Sequence, residues 1–217
     1  MEHFRVTEHG LTGEEAGKRL AENGENVLKE GKRKSTLQVF FEQFCDLLVV
    51  ILIIAALISM VSGNVESTIV IIAVIVLNAI LGTVQHAKAE KSLDSLKSLS
   101  SPSAKVMRDG HKIEVPSAQV VPGDILYLEA GDLVVADGRI LENYSLQVNE
   151  SSLTGESTNV DKSDGLIHDD CALADRANMV YSSGLVTYGR AVVLVTATGM
   201  DTEIGKIAAL SLIHISE

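Results

Sequence analysis

Two long apolar runs dominate the hydrophobic pattern of the chain. Leu47–Val61 reads LLVVILIIAALISMV and Ile69–Leu81 reads IVIIAVIVLNAIL, and neither run contains a charged residue. The uncharged stretches around them, Leu47–Val65 and Ser67–Gln85, approach the roughly 20 residues that an α-helix needs to cross a bilayer. We therefore predict two transmembrane helices, and two buried helices of a water-soluble domain are the alternative.

The basic residues beside these runs predict their orientation. The connection Ser62–Ser67 has no lysine or arginine, whereas cations lie before the first run and after the second: Lys29, Lys32, Arg33, Lys34, Lys88, Lys91 and Lys97. Positively charged flanks are retained in the cytoplasm. The two helices are therefore expected to form a tight hairpin with both ends cytoplasmic.

Two further helical features are predicted outside the apolar runs. Thr12 is an expected N-cap with Glu15 as its capping-box partner, and Gly24 is the expected end of that short helix. Beyond Lys88, alternating apolar and charged positions continue the second apolar helix as a stalk. Ser100-Ser101-Pro102 is expected to end the stalk, because proline cannot continue a helix.

After the stalk, the pattern changes to that of strands. Asp109-Gly110 is typical of a two-residue hairpin turn, here between strands Ala104–Arg108 and His111–Val115. Alternation and glycine punctuation predict further short strands: Val120-Val121, Asp124–Leu128, Leu133–Val135, Gly138–Leu141, Ser145–Val148, Met179–Ser182, Leu185-Val186 and Arg190–Thr198. The water-soluble part is therefore predicted to be a mainly β domain attached to the helical hairpin.

The composition argues against several classes of protein. The net charge of −11 argues against a nucleic-acid partner, which requires a concentrated basic surface. The two cysteines, Cys45 and Cys171, are too few for a disulfide scaffold and too far apart for a metal-binding or redox pair. The chain is 46% hydrophobic but only 4% aromatic, which reflects the aliphatic content of the two apolar runs.

Several possible motifs do not fit their chemistry. Gly199–Lys206 differs from a phosphate-binding loop in its spacing and in the isoleucine that follows the lysine. Asp161–Gly165 lacks the ligand pattern of a calcium loop, so an acidic surface loop is expected there. The histidines show no metal-ligand spacing. Only Asn149–Ser157, which reads NESSLTGES between two strands, suggests more than an ordinary turn.

The segment Val148–Ser157 (VNESSLTGES) resembles the actuator-domain signature of the P-type cation-transporting ATPases. The resemblance extends over nearly the whole chain up to about Leu210. Further matching segments are Val121–Asp124, Ala136–Arg139 (where Val135 replaces the usual proline), Val180–Gly184, Gly189–Ala191 and Thr198–Ile207. The N-terminal Gly10–Thr12 and Asn26–Leu28 resemble the calcium-transporting branch of that family.

This resemblance implies a mixed fold and a domain organisation. Residues 1–35 would form a cytoplasmic helical segment of the cation-ATPase N-terminal type, and residues 36–100 a transmembrane helical hairpin with its stalk. Residues 101–203 would form the actuator domain, a distorted jelly roll. Residues 204–217 would lead into a third membrane helix, with a tail after Leu210 that departs from the family and suggests a truncated reading.

The resemblance also implies a reaction. In this family ATP phosphorylates an aspartate of a separate domain, and the actuator loop then promotes hydrolysis of the aspartyl phosphate. Glu156 would position and deprotonate the attacking water. Gly155 would allow close approach of the backbone, and Thr154 and Ser157 would support the loop and the water.

The partners implied by the resemblance are the lipid bilayer and the phosphorylation and nucleotide-binding domains of the same pump, which would bind ATP and Mg²⁺. The transported cation would be Ca²⁺. The low cysteine content and the basic flanks of the hairpin fit a plasma membrane. The chain has no D-K-T-G-T motif, so the 217 residues alone are expected to be inactive. Two alternatives stay open: a pump for Na⁺/K⁺, H⁺ or Mg²⁺, and a non-catalytic β domain tethered to the membrane that binds a partner.

Overall fold

The computed structural model describes residues 4, 6–29, 34–99, 102–155, 158–167 and 171–215. These residues form two units, one from residues 1–29 and 101–217 and the other from residues 30–100. Several residues that the sequence singled out lie outside the described part: Lys32, Arg33, Ser100, Ser101, Glu156, Ser157, Ser216 and Glu217.

The second unit is helical. Helices α2 (Thr36–Glu42), α3 (Leu47–Val61) and α4 (Val65–Leu99) follow one another, and α3 and α4 pack together as the predicted hairpin. Asp46 caps α3 by accepting a hydrogen bond from the Leu48 amide at 2.9 Å. The turn between α3 and α4 uses Gly63, whose φ of 78° is readily adopted only by glycine.

The helical unit contains one helix that is long and apolar enough to cross a membrane, within Val65–Ser95. The 35 residues of α4 span about 52 Å, which exceeds the thickness of a hydrocarbon core, about 30 Å. Helix α3 has 15 residues and spans about 22 Å, which is short for a crossing by itself. The preceding segment Thr36–Cys45 lies at 65° to α3, so the pair forms at most a broken span.

The described residues of the first unit form one sheet of seven strands. Its strands are β1 (Ser103–Arg108), β2 (His111–Pro116), β3 (Ile125–Glu129), β4 (Asp137–Asn149), β5 (Asn159–Asp161), β6 (Met179–Val180) and β7 (Leu185–Ala197). They lie in the order β2-β1-β3-β7-β4-β5, with β6 also paired to β4, and every pair is antiparallel. This confirms the prediction of a mainly β domain after the stalk.

The main core of this unit is aliphatic and contains residues from every strand except β5. Its largest fully buried side chains include Leu126, Ile140 and Leu146. The predicted turn between β1 and β2 is confirmed, since Asp109 and Gly110 have φ values of 52° and 73°, as the common two-residue hairpin requires.

Some strand predictions were wrong. Gly138–Leu141 and Ser145–Val148 belong to one strand, β4, and Leu185-Val186 and Arg190–Thr198 fall largely in β7. The apparent breaks are irregularities within the β4–β7 pair, where Ser145 and Gly189 have φ values of 54° and 76°. A Cβ at Gly189 would lie 2.2 Å from the Ser145 carbonyl oxygen, which explains why glycine stands there.

Two other predicted strands are absent from the described residues. Val120 and Val121 follow a 3-10 turn and are fully buried, so their apolar character reflects packing rather than strand pairing. Leu133–Val135 makes only an isolated bridge, between Leu133 and Leu185. Short apolar runs specify burial more reliably than they specify strand geometry.

The N-terminal segment packs on the β unit. Helix α1 (Gly13–Asn23) begins at Thr12, whose hydroxyl accepts the Glu15 amide at 3.2 Å, and ends at Gly24 with a φ of 79°, as predicted. A second apolar cluster joins this segment to the sheet: Val6, Leu11, Ala16, Val121, Ile125 and Leu194. Arg19 adds a hydrogen bond of 2.9 Å to the Pro122 carbonyl oxygen.

Asn26 ties three parts of the first unit together through its side chain. Its Nδ2 donates to the carbonyl oxygens of Ser117 and Val135 at 3.0 and 2.9 Å. Its Oδ1 accepts a hydrogen bond of 2.7 Å from the Gly199 amide, in the turn before α6 (Glu203–Ile215). One amide side chain therefore satisfies the backbone groups of three separate segments.

We expect Asn26→Ala to lower the stability of the β unit by about 2–3 kcal/mol, because about 1 kcal/mol is lost per hydrogen bond removed. Urea unfolding followed by circular dichroism on the detergent-solubilised chain measures this loss. Asn23→Ala is the matched control, since Asn23 makes one exposed hydrogen bond to the Arg19 carbonyl oxygen. Equal midpoints for the two variants would contradict the role given to Asn26.

Candidate functional site

The segment that the sequence singled out connects β4 to β5. Strand β4 ends at Asn149 and β5 begins at Asn159, and these two residues face each other across the antiparallel pair. The connection between them, residues 150–158, is named here the actuator loop. Both of its ends are therefore fixed at the edge of the sheet.

The first half of the actuator loop is one turn of helix, α5 (Ser151–Thr154). The Glu150 carbonyl oxygen accepts hydrogen bonds from the Leu153 amide, the Thr154 amide and the Thr154 hydroxyl at 2.9, 3.0 and 3.1 Å. The Asn149 side chain accepts the Ser151 amide at 3.1 Å. These contacts give the start of the loop a defined geometry.

Gly155 ends the turn in the left-handed conformation, with a φ of 76°. Its amide donates to the Ser151 carbonyl oxygen at 2.9 Å. A Cβ at this position would meet no atom within 4 Å, so glycine is required by the backbone angle and not by a close neighbour. The open space beside Gly155 leaves its backbone accessible to an approaching group.

Of the four site residues suggested by the sequence, the structure describes two. Thr154 and Gly155 lie next to each other at the end of the helical turn. Glu156 and Ser157 lie outside the described residues, so their roles stay predictions. No group of three or more His, Cys, Asp or Glu side chains in the described part of the chain is arranged to hold a metal ion.

A buried ion pair lies at the base of the actuator loop, and the sequence did not indicate it. Lys162 Nζ and Glu150 Oε1 are 2.7 Å apart, and the two side chains are 0% and 1% exposed. Asp161–Gly165 was expected to be an acidic surface loop, which holds for residues 163–165, whereas Asp161 ends β5 and Lys162 is buried. No local pattern marked Lys162, because β5 was not among the predicted strands.

The surroundings of this pair disfavour isolated charges. Burial raises the pKa of Glu150 and lowers the pKa of Lys162, while the attraction between the two groups acts in the opposite direction. The ring of Tyr181 lies 5.7 Å from Lys162 Nζ. Burial also raises the pKa of Tyr181 to about 12, so its hydroxyl stays neutral at physiological pH.

The other end of β4 holds a second buried carboxylate, Asp137. Its two oxygens accept the amides of Ser182 and Glu203, each at 2.8 Å. The second of these bonds caps the N-terminus of α6, where a carboxylate is favourable. Burial raises the pKa of Asp137, although both amide bonds oppose that shift. Strand β4 therefore joins helix α6 at one end to the actuator loop at the other.

Comparison with known protein families gives two matches. Residues 98–212 match the P-type ATPase actuator domain, and residues 1–59 match the cation transporter/ATPase N-terminus. The first match covers the whole sheet together with the actuator loop.

Comparison with individual proteins gives relatives of the same kind. A calcium-transporting ATPase of Listeria monocytogenes is 48% identical over 95% of this chain and 24% of its own length. A calcium-transporting ATPase of Lactococcus lactis is 44% identical over 97% of this chain and 24% of its own length. A sodium/potassium exporting P-type ATPase of Schizosaccharomyces pombe is 43% identical over 93% of this chain and 20% of its own length.

The chain spans about a quarter of the length of the relatives it matches. The matched part contains the sheet, the actuator loop and the N-terminal segment that packs on the sheet. The chain belongs to the family of P-type cation-transporting ATPases, and residues 98–212 are its actuator domain.

Proposed function

We propose that this chain is the N-terminal part of an ATP-driven calcium pump and that its actuator loop hydrolyses the aspartyl phosphate of that pump. The observation that carries the proposal is the loop itself. A T-G-E-S sequence begins on a helical turn fixed at the sheet edge and reaches a left-handed glycine with open space beside it.

The chemistry of acyl-phosphate hydrolysis fits such a loop. An attacking water needs a base within hydrogen-bond reach and in line with the bond that breaks. Glu156 is the proposed base, and Ser157 supports the water. Thr154 shapes the turn, since its hydroxyl donates to the Glu150 carbonyl oxygen at 3.1 Å. Gly155 brings the backbone near the phosphate.

The helical unit is the proposed membrane part. Large aliphatic side chains of α3 and α4 are exposed, including Leu47 at 76%, Val61 at 90% and Leu77 at 68%. Such a surface is costly in water and favourable in lipid. We propose that α3 and α4 form a hairpin in the plasma membrane with both ends in the cytoplasm, and that rotation of the actuator domain moves it.

The transported ion is proposed to be Ca²⁺. The relatives named as calcium-transporting ATPases support this choice. A relative named for sodium and potassium is nearly as similar, at 43% identity, so the segment alone does not choose between ions. ATP and Mg²⁺ would bind to domains of the pump beyond this chain, including the one that carries the phosphorylated aspartate.

In the full-length pump, we expect Glu156→Gln to retain phosphorylation from ATP and to slow phosphoenzyme decay by about 100-fold or more, because a general base contributes 10²–10⁴-fold. Chase of radiolabelled phosphoenzyme measures the decay. Glu142→Gln, at an exposed position of β4, is the control and should decay as the wild type does. Unchanged decay in Glu156→Gln would instead favour a tethered β domain without chemistry.

Gly155→Ala tests the left-handed end of the turn. A Cβ in this conformation costs about 1–2 kcal/mol, so the turn should rearrange and phosphoenzyme decay should slow. Gly131→Ala is a matched control, because Gly131 also has a positive φ, of 96°, and open space for a Cβ. The two variants should lose similar stability, but only Gly155→Ala should slow decay. Equal decay rates would contradict the role of Gly155.

The choice of ion is tested by phosphorylation of the wild-type pump from ATP. Phosphoenzyme should form with micromolar Ca²⁺ and should not form when Na⁺ or K⁺ replaces it, because phosphorylation in the proposed cycle follows binding of the transported ion. Acid-quenched phosphoenzyme in the two media measures this difference. Formation that depends on Na⁺ and ignores Ca²⁺ would identify a sodium pump.

A further inference from the structure

The buried pair Glu150–Lys162 joins the first residue of the actuator loop to the residue that follows β5. Glu150 is the first residue after β4 and Lys162 is the first residue after β5. Their charged groups meet at 2.7 Å below the loop, and both side chains are fully buried. The pair therefore links the start of the loop, next to the Asn149–Asn159 pair, to the far end of β5, next to the Gln147–Asp161 pair.

Stability alone gives no reason for this pair. Removing two charges from water carries a large free-energy cost, and an apolar pair of similar size is often as stable or more so. Among the described residues, no further hydrogen-bond partner satisfies Lys162 Nζ or either Glu150 carboxylate oxygen. Each charged group is thus compensated mainly by the other. A small displacement of either side chain would leave a buried charge without its partner.

The backbone of Lys162 is held on β4, the strand that Glu150 follows. The Lys162 amide donates to the Leu146 carbonyl oxygen at 2.9 Å, and the Lys162 carbonyl oxygen accepts the Asn143 side chain at 2.6 Å. Glu150 belongs to the loop, since its carbonyl oxygen accepts the three hydrogen bonds that form the helical turn. Lys162 is therefore held by the sheet, and Glu150 carries the turn.

We propose that Glu150 and Lys162 are the positioning residues of the actuator loop, and that their ion pair holds the turn 151–155 where Glu156 meets the attacking water. This inference rests on the proposed function of the loop. Neither residue touches the phosphate. The pair acts through the turn, and its effect is confined to the step in which the loop engages the phosphoenzyme.

The first test compares Lys162→Met with the wild-type full-length pump. Phosphorylation from ATP should continue, whereas phosphoenzyme decay should slow by about 10- to 100-fold, the effect expected when a reacting group is misplaced by about 1 Å. Lys105→Met is the matched control, because Lys105 forms an ion pair of 3.0 Å with Glu129 on the exposed surface of the same sheet. The control should decay as the wild type does.

The double variant E150M/K162M separates positioning from stability. It removes both charges and keeps unbranched side chains of similar length, so the thermal midpoint should return toward the wild-type value. Decay should nevertheless stay slow, because the contact that orients the turn is absent. If the double variant recovers both the wild-type decay rate and the wild-type thermal midpoint, the proposal is overturned. A wild-type decay rate in Lys162→Met would also overturn it. If Lys162→Met does not fold, the decay rate of the double variant alone tests the proposal.

Hydrogen exchange supplies a readout that does not depend on the reaction. In the 217-residue chain, E150M/K162M should raise amide exchange at residues 151–155, while the amides of β3 and β7 stay protected as in the wild type. Unchanged exchange in the loop would overturn the positioning role. If Glu156→Gln leaves phosphoenzyme decay unchanged, the proposed function of the loop is wrong. The exchange measurement still tests whether the ion pair positions the turn, because it does not depend on the reaction.

Discussion

The pairing of β4 with β7 is the constraint on which the rest of the β unit depends. These are the two longest strands, each of 13 residues, and they lie next to each other near the middle of the sheet. At about 3.3 Å per residue, β4 extends for about 40 Å. Asp137 at its start caps α6, and Asn149 at its end directly precedes the actuator loop. One long strand thus connects helix α6 to the actuator loop.

In the described part of the chain three carboxylates are buried, and each is compensated differently. Asp137 accepts two backbone amides. Asp124, which is fully buried, accepts two hydrogen bonds from Arg108 at 2.9 and 2.7 Å and one from the Val121 amide. Among the described residues, Glu150 is compensated by the ammonium group of Lys162. The carboxylate with the fewest described partners is therefore the first residue of the actuator loop.

Local signals in the sequence predicted much of the fold. The hairpin turn at Asp109-Gly110 and the helix cap at Thr12 are specified by a few adjacent residues, and both are confirmed. Glycines were taken to mark strand ends, and this made some strand predictions wrong, because Gly189 lies at an irregularity inside a long strand. The buried state of Lys162 depends on how β5 pairs with β4, which no local pattern of a lone lysine reveals. The family resemblance identified the loop, but the pair beneath it emerged only from the structure.

The central claim is that the actuator loop meets the aspartyl phosphate with Glu156 as the base. The most direct test is a structure of the full-length pump with a phosphate analogue bound at its phosphorylated aspartate. The account predicts that residues 154–157 lie against the analogue, with the Glu156 carboxylate about 3 Å from the water in line for attack. A structure in which the loop lies away from the analogue, or in which another side chain contacts that water, would contradict the account.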